Sequence, residues 1–87
     1  MMFTVILTRR AQKEYDRLSK EMQPRVEKAI DNLRENPFCG KKLEGDHEGY
    51  WSMRVWPYRV IYTVDKKIIT VTIVTIGDRK DVYRRFR

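Results

Sequence analysis

Three side chains in the second half of the sequence have the chemistry needed to act on a phosphate group: Arg59, Arg79 and Tyr83. Guanidinium groups bind phosphate oxygens through paired hydrogen bonds and stay charged at any physiological pH. A phenol can exchange a proton when neighbouring cations lower its pKa. The segment from residue 58 to residue 83 therefore predicts a phosphate-handling site that needs neither a metal ion nor a pair of histidines.

The charge balance of the chain favours a polyanionic partner. Its 87 residues carry 19 Lys and Arg against 12 Asp and Glu, which gives a formal net charge of +7. Such a surface attracts nucleic acid or an acidic protein. The length suits one small domain over residues 1–87, and a hydrophobic content of 41% is that of a globular chain.

The residue types that hold metals or form disulfides are scarce. Cys39 is the only cysteine and His47 the only histidine. The sequence therefore predicts no disulfide within the chain, no metal site and no cofactor. It shows neither a secretion signal nor an apolar run long enough to cross a bilayer, so we expect a cytoplasmic protein with no membrane partner.

Hydrophobic periodicity predicts one strand and two helices in the first half of the chain. Residues 3–7 alternate as in a strand, and Thr8 is suited to cap the helix that follows. Ser19 is a candidate cap for a second helix, which Pro37 ends. The short connection predicts an antiparallel helical hairpin. Charged residues of both signs on its outer faces, Glu14 among them, are predicted to be solvated.

Three further runs in the second half of the chain predict strands. They cover residues 50–55, 58–64 and 68–76, and the short connections between them indicate an antiparallel meander. The element order is therefore β-α-α-β-β-β. It predicts an α+β fold in which an antiparallel sheet carries the helical hairpin on one face.

Alternation along the strands divides the side chains between the two faces of the sheet. Ser52 and Arg54 share one face of their strand, and Arg59 lies on the corresponding face of the next strand. Because the apolar side chains of both strands suit the helices, we expect these polar residues on the opposite, open face. Arg79 follows the last strand and Tyr83 lies four residues further on, so both are predicted to border a concave basic surface.

Four segments carry a resemblance to a known family: KLEG at 42–45, GYWSMRV at 49–55, YRVIYTVD at 58–65 and IGDRKDVY at 76–83. They resemble the RelE/ParE toxin superfamily, and in particular its RelE-type mRNA interferases. The predicted element order agrees over nearly the whole length. The resemblance implies the toxin of a type II toxin–antitoxin system, which cuts mRNA in the ribosomal A site without metal and is held inactive by a cognate antitoxin.

The resemblance also implies roles for individual residues. Arg59, Arg79 and Tyr83 match the family's catalytic positions, and Arg54 stands where the best-known RelE-type enzymes have a lysine. Ser52 stands where those enzymes have a second lysine. This chain therefore lacks one cation that the resemblance leads us to expect at the site.

Other cations could replace the missing charge or bind RNA. Lys42, Lys66 or Lys80 could substitute for the lysine that Ser52 replaces. The residues predicted to contact RNA or the ribosome are Lys41, Lys42, Ser52, Lys80, Arg84 and Arg85.

The expected reaction is attack of a ribose 2′-OH on the adjacent phosphate. Tyr83 is the predicted general base, because neighbouring arginines would favour its phenolate and lower its pKa. The arginines act as electrostatic clamps, and the resemblance gives Arg79 part of the protonation of the leaving oxygen. Two alternatives stay open. ParE-type members share the fold but inhibit DNA gyrase, and Ser52 suits an inactive RNA-binding relative.

Overall fold

Five strands and two helices make up the part of the chain that the computed structural model describes, residues 2–78. They follow in the order β1 (Thr4–Leu7), α1 (Arg9–Asp16), α2 (Met22–Glu35), β2 (Lys41–Lys42), β3 (Trp51–Val55), β4 (Tyr58–Asp65) and β5 (Thr70–Asp78). Short 3-10 turns at Pro37–Cys39 and Gly45–His47 lie between α2 and β3. Over this range neither helix is long and apolar enough to span a membrane.

The strands form one sheet in the order β1-β5-β4-β3-β2, so β4 lies near its centre. The predicted α+β class with the helices on one face is confirmed, and the meander of β3, β4 and β5 is antiparallel as expected. The sheet as a whole is mixed, however, because β1 pairs with β5 in parallel. A parallel pair needs a long crossover connection, and the chain between β1 and β5, which includes both helices, supplies it.

The helix starts follow from side-chain caps. The Thr8 hydroxyl accepts the Ala11 N–H at 3.1 Å, as predicted, and donates to the Val74 carbonyl at 2.8 Å. The second helix begins at Met22, three residues beyond Ser19. The Ser19 hydroxyl still accepts the Met22 N–H at 3.2 Å, so it caps the turn that leads into α2.

The helices cover the face of the sheet that the alternation assigned to them. Burial of aliphatic and aromatic side chains there is the main favourable contribution to folding, about 1.5–3 kcal/mol for each large side chain. The buried set comprises Ala11, Val26, Ala29, Ile30, Leu33, Val55, Val60, Tyr62, Val71, Ile73 and Ile76. Because β3 and β4 send their apolar residues to this side, their polar residues project to the other.

A bulge in β5 changes the alternation of its side chains. Ile61 pairs with Thr75 but Tyr62 pairs with Ile73, so Val74 is an extra residue on β5. The bulge keeps both Ile73 and Ile76 in the core. Next to the bulge, the Thr75 hydroxyl donates to a carboxylate oxygen of Glu14, a residue of α1, at 2.8 Å.

Glu14 is not solvated, contrary to the prediction for the outer helix faces. Its side chain is 12% exposed, and its carboxylate also accepts the Ile76 N–H at 3.0 Å. The physical reason is the shortness of β1, whose pairing with β5 stops at Leu7 opposite Ile73. Beyond that point Glu14 supplies the acceptor that a neighbouring strand would otherwise provide.

Candidate phosphate-binding site

Arg59 lies on β4, between β3 and β5, and its side chain is partly exposed. Its cross-strand neighbours are Arg54 on β3 and Gly77 on β5. Gly77 has no side chain and is itself buried. At its paired positions Arg59 therefore has a side-chain neighbour on β3 and none on β5.

Ser52 fixes the position of this arginine. The Arg59 Nη1 donates a hydrogen bond of 3.2 Å to the Ser52 hydroxyl, and Ser52 is only 2% exposed. Its observed contact is with Arg59, and its predicted contact with RNA stays a prediction.

The face opposite the helices is closed in its middle. Ile61 lies between Ser52 and Thr75 in the strand pairing and is 0% exposed, although it does not belong to the core beneath the helices. The predicted open face is therefore wrong at Ser52 and Ile61, because the apolar side chain of Ile61 is withdrawn from water. The face is accessible at Arg54 and, in part, at Arg59.

Arg54 and Arg59 stand directly opposite each other on neighbouring strands. Like charges in this position repel. The ion pairs of residues 2–78 join Arg10 to Glu14 and Arg34 to Asp31, and neither Arg54 nor Arg59 takes part in one. Arg54 instead places its guanidinium carbon 5.9 Å from the ring centroid of Trp56. Because these adjacent arginines have no carboxylate partner within the described range, the pair favours an anion bound between them.

The strand register decides which lysine joins the site. Lys41 pairs with Ser52, whereas Lys42 pairs with Trp51 on the helix side of the sheet. Directly paired residues project to the same face, so Lys41 is the cation beside Ser52. Lys66 lies past the far end of β4, with its Nζ 5.4 Å from the ring centroid of Phe38. The sequence suggested Lys42, Lys66 and Lys80 as replacements for the lysine that Ser52 replaces. Lys42 and Lys66 lie elsewhere, and Lys80 is outside the described range. The strand register points instead to Lys41.

Gly40 allows β2 to approach closely enough for this pairing. A Cβ at Gly40 would lie 2.3 Å from the Tyr62 hydroxyl oxygen and 2.8 Å from the Ser52 carbonyl oxygen. Any other residue would have to push the start of β2 away from β3. The glycine therefore positions Lys41 beside the site, a role that the sequence alone did not reveal.

The described residues offer electrostatic stabilisation but no evident base. Burial raises the pKa of the Tyr62 phenol to about 12, and burial with the nearby Glu27 raises that of Tyr15. Both changes disfavour the phenolate that a general base requires. Within residues 2–78 no three His, Cys, Asp or Glu side chains are grouped so that they could hold a metal ion.

Half of the predicted site residues lie outside the described range, beyond Asp78. They are Arg79, Lys80, Tyr83, Arg84 and Arg85. Their roles stay predictions. The last described residue, Asp78, directly follows Gly77, the partner of Arg59 on β5.

Comparison with known proteins identifies the family of the chain. The model of the ParE toxin family of type II toxin–antitoxin systems matches residues 5–83. Toxin RelG from Mycobacterium tuberculosis is 33% identical over 87 residues, which cover 98% of this chain and 100% of RelG.

Solved structures show the same fold. The toxin–antitoxin complex RelBE2 from M. tuberculosis contains a chain with a TM-score of 0.83 and 30% identity, covering 91% of this chain and 100% of that one. A chain of the archaeal RelE–RelB complex from Pyrococcus horikoshii gives 0.79 and 27%, over 91% and 97%. The chain therefore belongs to the RelE/ParE superfamily of toxins from type II toxin–antitoxin systems.

Proposed function

We propose that this protein is a ribosome-dependent endoribonuclease that cleaves mRNA in the ribosomal A site. The observation that carries the proposal is the cross-strand pair of Arg54 and Arg59, which has no carboxylate partner among residues 2–78. A phosphodiester placed between the two guanidinium groups would offset their repulsion. It would also gain stabilisation as negative charge grows on its oxygens in the transition state.

The proposed reaction moves one proton at each end of the attacked phosphate. The 2′-OH gives its proton to the Tyr83 phenolate, and the 2′ oxygen forms a bond to phosphorus. The bond from phosphorus to the 5′ oxygen breaks, and that oxygen takes a proton from solvent water while the Arg79 guanidinium stabilises its negative charge through a hydrogen bond. The products are a 2′,3′-cyclic phosphate and a 5′-OH. Arg59, held by Ser52, stays charged throughout and binds the phosphoryl oxygens.

The proposed dependence on the ribosome concerns the alignment of the substrate. Electrostatic clamps stabilise the transition state but do not by themselves align a flexible ribose with its leaving oxygen. In-line geometry of this kind is worth several orders of magnitude in rate. We propose that the ribosome supplies the alignment, so that free RNA is cut slowly.

The proposed neutralising partner is a cognate antitoxin. The RelBE2 and archaeal RelE–RelB structures are complexes of a toxin with its antitoxin. A net charge of +7 on this chain suits an acidic segment in such a partner.

The test is primer extension on mRNA in a purified translation system. Wild-type protein, Arg59→Ala and Lys67→Ala are compared, since Lys67 is an exposed cation in the turn between β4 and β5. We expect wild-type cuts within A-site codons that need ribosomes, a loss of about 100-fold or more in Arg59→Ala, and unchanged cutting in Lys67→Ala. Circular dichroism confirms that each variant is folded.

A second candidate, inhibition of DNA gyrase, is favoured by the match to the ParE toxin model and by Ser52. A gyrase inhibitor needs no general base, so Tyr83→Phe would leave growth arrest intact. If the wild-type protein arrests growth while mRNA stays uncut, the nuclease proposal fails. A supercoiling assay with purified gyrase then tests the alternative.

A further inference from the structure

A second basic surface adjoins the Arg54–Arg59 pair. An open groove of about 600 Å³ runs between α2 and β3. Its floor is apolar and well packed, with Ala29 and Val55 each 7% exposed. A groove of this size can hold part of an extended polymer.

The rim of the groove carries positive charge on both sides. Arg25 and Lys28 lie three residues apart on the exposed surface of α2, and Arg54 on β3 lines the same groove. No acidic residue lines the groove, and none of the three cations forms an ion pair within residues 2–78. These charges are therefore available to an anionic ligand.

An exposed aromatic ring lies at the β3 end of the groove. Trp56 is 51% exposed, and the guanidinium of Arg54 lies on its ring at 5.9 Å from the centroid. Single-stranded nucleic acids are commonly bound by this combination of a cationic channel with an aromatic side chain on which a base stacks. An acidic peptide would use the cations equally well but has no base to stack on the indole.

We propose that this groove binds the single-stranded RNA that adjoins the cleaved phosphate, with backbone phosphates on Arg25 and Lys28 and a base against Trp56. Arg54 belongs both to the groove and to the pair that would hold the scissile phosphate. A strand bound at Arg59 therefore continues directly into the groove. That the strand is the cleaved mRNA rests on the proposed function.

Binding is tested at equilibrium, without ribosomes and without cleavage. A failure of the groove proposal can then be distinguished from a failure of the proposed nuclease activity. The probe is a fluorescein-labelled single-stranded RNA of about ten nucleotides, followed by anisotropy. The variants Arg25→Gln and Lys28→Gln remove one charge each, and Lys67→Gln is the matched control outside the groove. Trp56→Leu removes the aromatic ring, and Trp56→Phe keeps one.

We expect Arg25→Gln and Lys28→Gln each to raise Kd by about five-fold and to lower the slope of log Kd against log salt concentration by about 1. Trp56→Leu should raise Kd by about ten-fold, with Trp56→Phe close to wild type. Lys67→Gln should change neither quantity. All four positions are exposed, and thermal melts verify that the variants stay folded.

Two further probes separate RNA from an acidic polypeptide. An oligomer of the same length built from abasic nucleotides should bind the wild-type protein as weakly as RNA binds Trp56→Leu. Poly-glutamate should be insensitive to Trp56→Leu. The proposal is overturned if the three groove variants bind RNA like the wild type, or if poly-glutamate and RNA lose affinity equally in all of them.

Discussion

The guanidinium of Arg59 donates a hydrogen bond of 3.2 Å to the hydroxyl of Ser52, a residue that is 2% exposed. The best-known RelE-type enzymes, by the resemblance described above, have a lysine at the position of Ser52. The serine supplies no charge, but it gives Arg59 a fixed partner from the neighbouring strand. We interpret Ser52 as a positioning residue that orients the cation already present.

Replacing Ser52 with alanine should therefore lower cleavage without unfolding the protein. Loss of one hydrogen bond of this type costs about 1 kcal/mol, which corresponds to about five-fold in rate when it is lost from the transition state. Primer extension at saturating mRNA measures the effect. The loss should fall on kcat rather than on KM, because Arg59 keeps its charge but loses its orientation.

Ser52→Thr is the control, since threonine keeps a hydroxyl. It should retain more activity than Ser52→Ala. Equal activity of wild type and Ser52→Ala, with both proteins folded, would show that Arg59 needs no such support.

Removal of the Lys41 charge should weaken the site more than removal of the Lys42 charge. Lys41 pairs with Ser52 on the face of Arg59, whereas Lys42 pairs with Trp51 on the helix side. Both lysines are exposed and adjacent in sequence, so each controls for the other. We expect Lys41→Gln to reduce A-site cleavage by about ten-fold, a typical cost of one charged contact to a phosphate. Lys42→Gln should reduce cleavage by less than about three-fold, which is half of the Lys41 effect on a logarithmic scale.

Alternation along β3 and β4 was enough to place Arg54 and Arg59 on one face and the core residues on the other. It depends only on local backbone geometry, which the sequence encodes directly. The pairing of Lys41 with Ser52 was not predictable, because it depends on a close approach that Gly40 permits 12 residues before Ser52. The periodicity within one strand carries no information about its register with the next strand when a long loop joins them.

The burial of Glu14 was missed for a related reason. Its place on a helix with mixed charges indicated a solvated residue. Its actual environment depends on where β1 stops beside β5 and on the bulge at Val74. Both are tertiary features, and the bulge interrupts the two-residue period on which strand predictions rest.

Glu14 should contribute strongly to stability. Its carboxylate accepts the Thr75 hydroxyl at 2.8 Å and the Ile76 N–H at 3.0 Å. Hydrogen bonds to a charged acceptor are worth about 1.5–3 kcal/mol each. We expect Glu14→Ala to lower the free energy of unfolding by about 3 kcal/mol in urea titrations. Thr75→Val, which keeps the backbone contact, should cost roughly half of that.

The Glu14 contact also affects the site, because Ile76 precedes Gly77, the partner of Arg59. Cleavage by folded Glu14→Ala at low temperature should therefore be reduced. A variant with full stability would contradict the role of Glu14 at the edge of β5. The double variant with Thr75→Val should cost less than the sum of the two single changes, since both remove the same hydrogen bond.

Stability should fall at high pH because of Tyr62. Its hydroxyl donates to the Pro37 carbonyl at 2.8 Å, and burial, with a smaller effect from Cys39, raises its pKa to about 12. In the unfolded chain the phenol titrates near 10. The folded state therefore holds the proton more tightly, so this contribution is complete below about pH 10 and is lost as the pH rises through about 12.

Tyr62→Phe isolates the effect from the other groups that titrate in the same range. At neutral pH the variant should be less stable by about 1 kcal/mol, because one buried hydrogen bond is lost and the Pro37 carbonyl is left unpaired. Between about pH 10 and pH 12 the wild type should lose about 2 kcal/mol more than the variant does, following the two-unit difference in pKa. Urea unfolding followed by circular dichroism across this range measures both curves. Parallel curves for the two proteins would mean that Tyr62 ionises in the folded state as readily as in the unfolded chain.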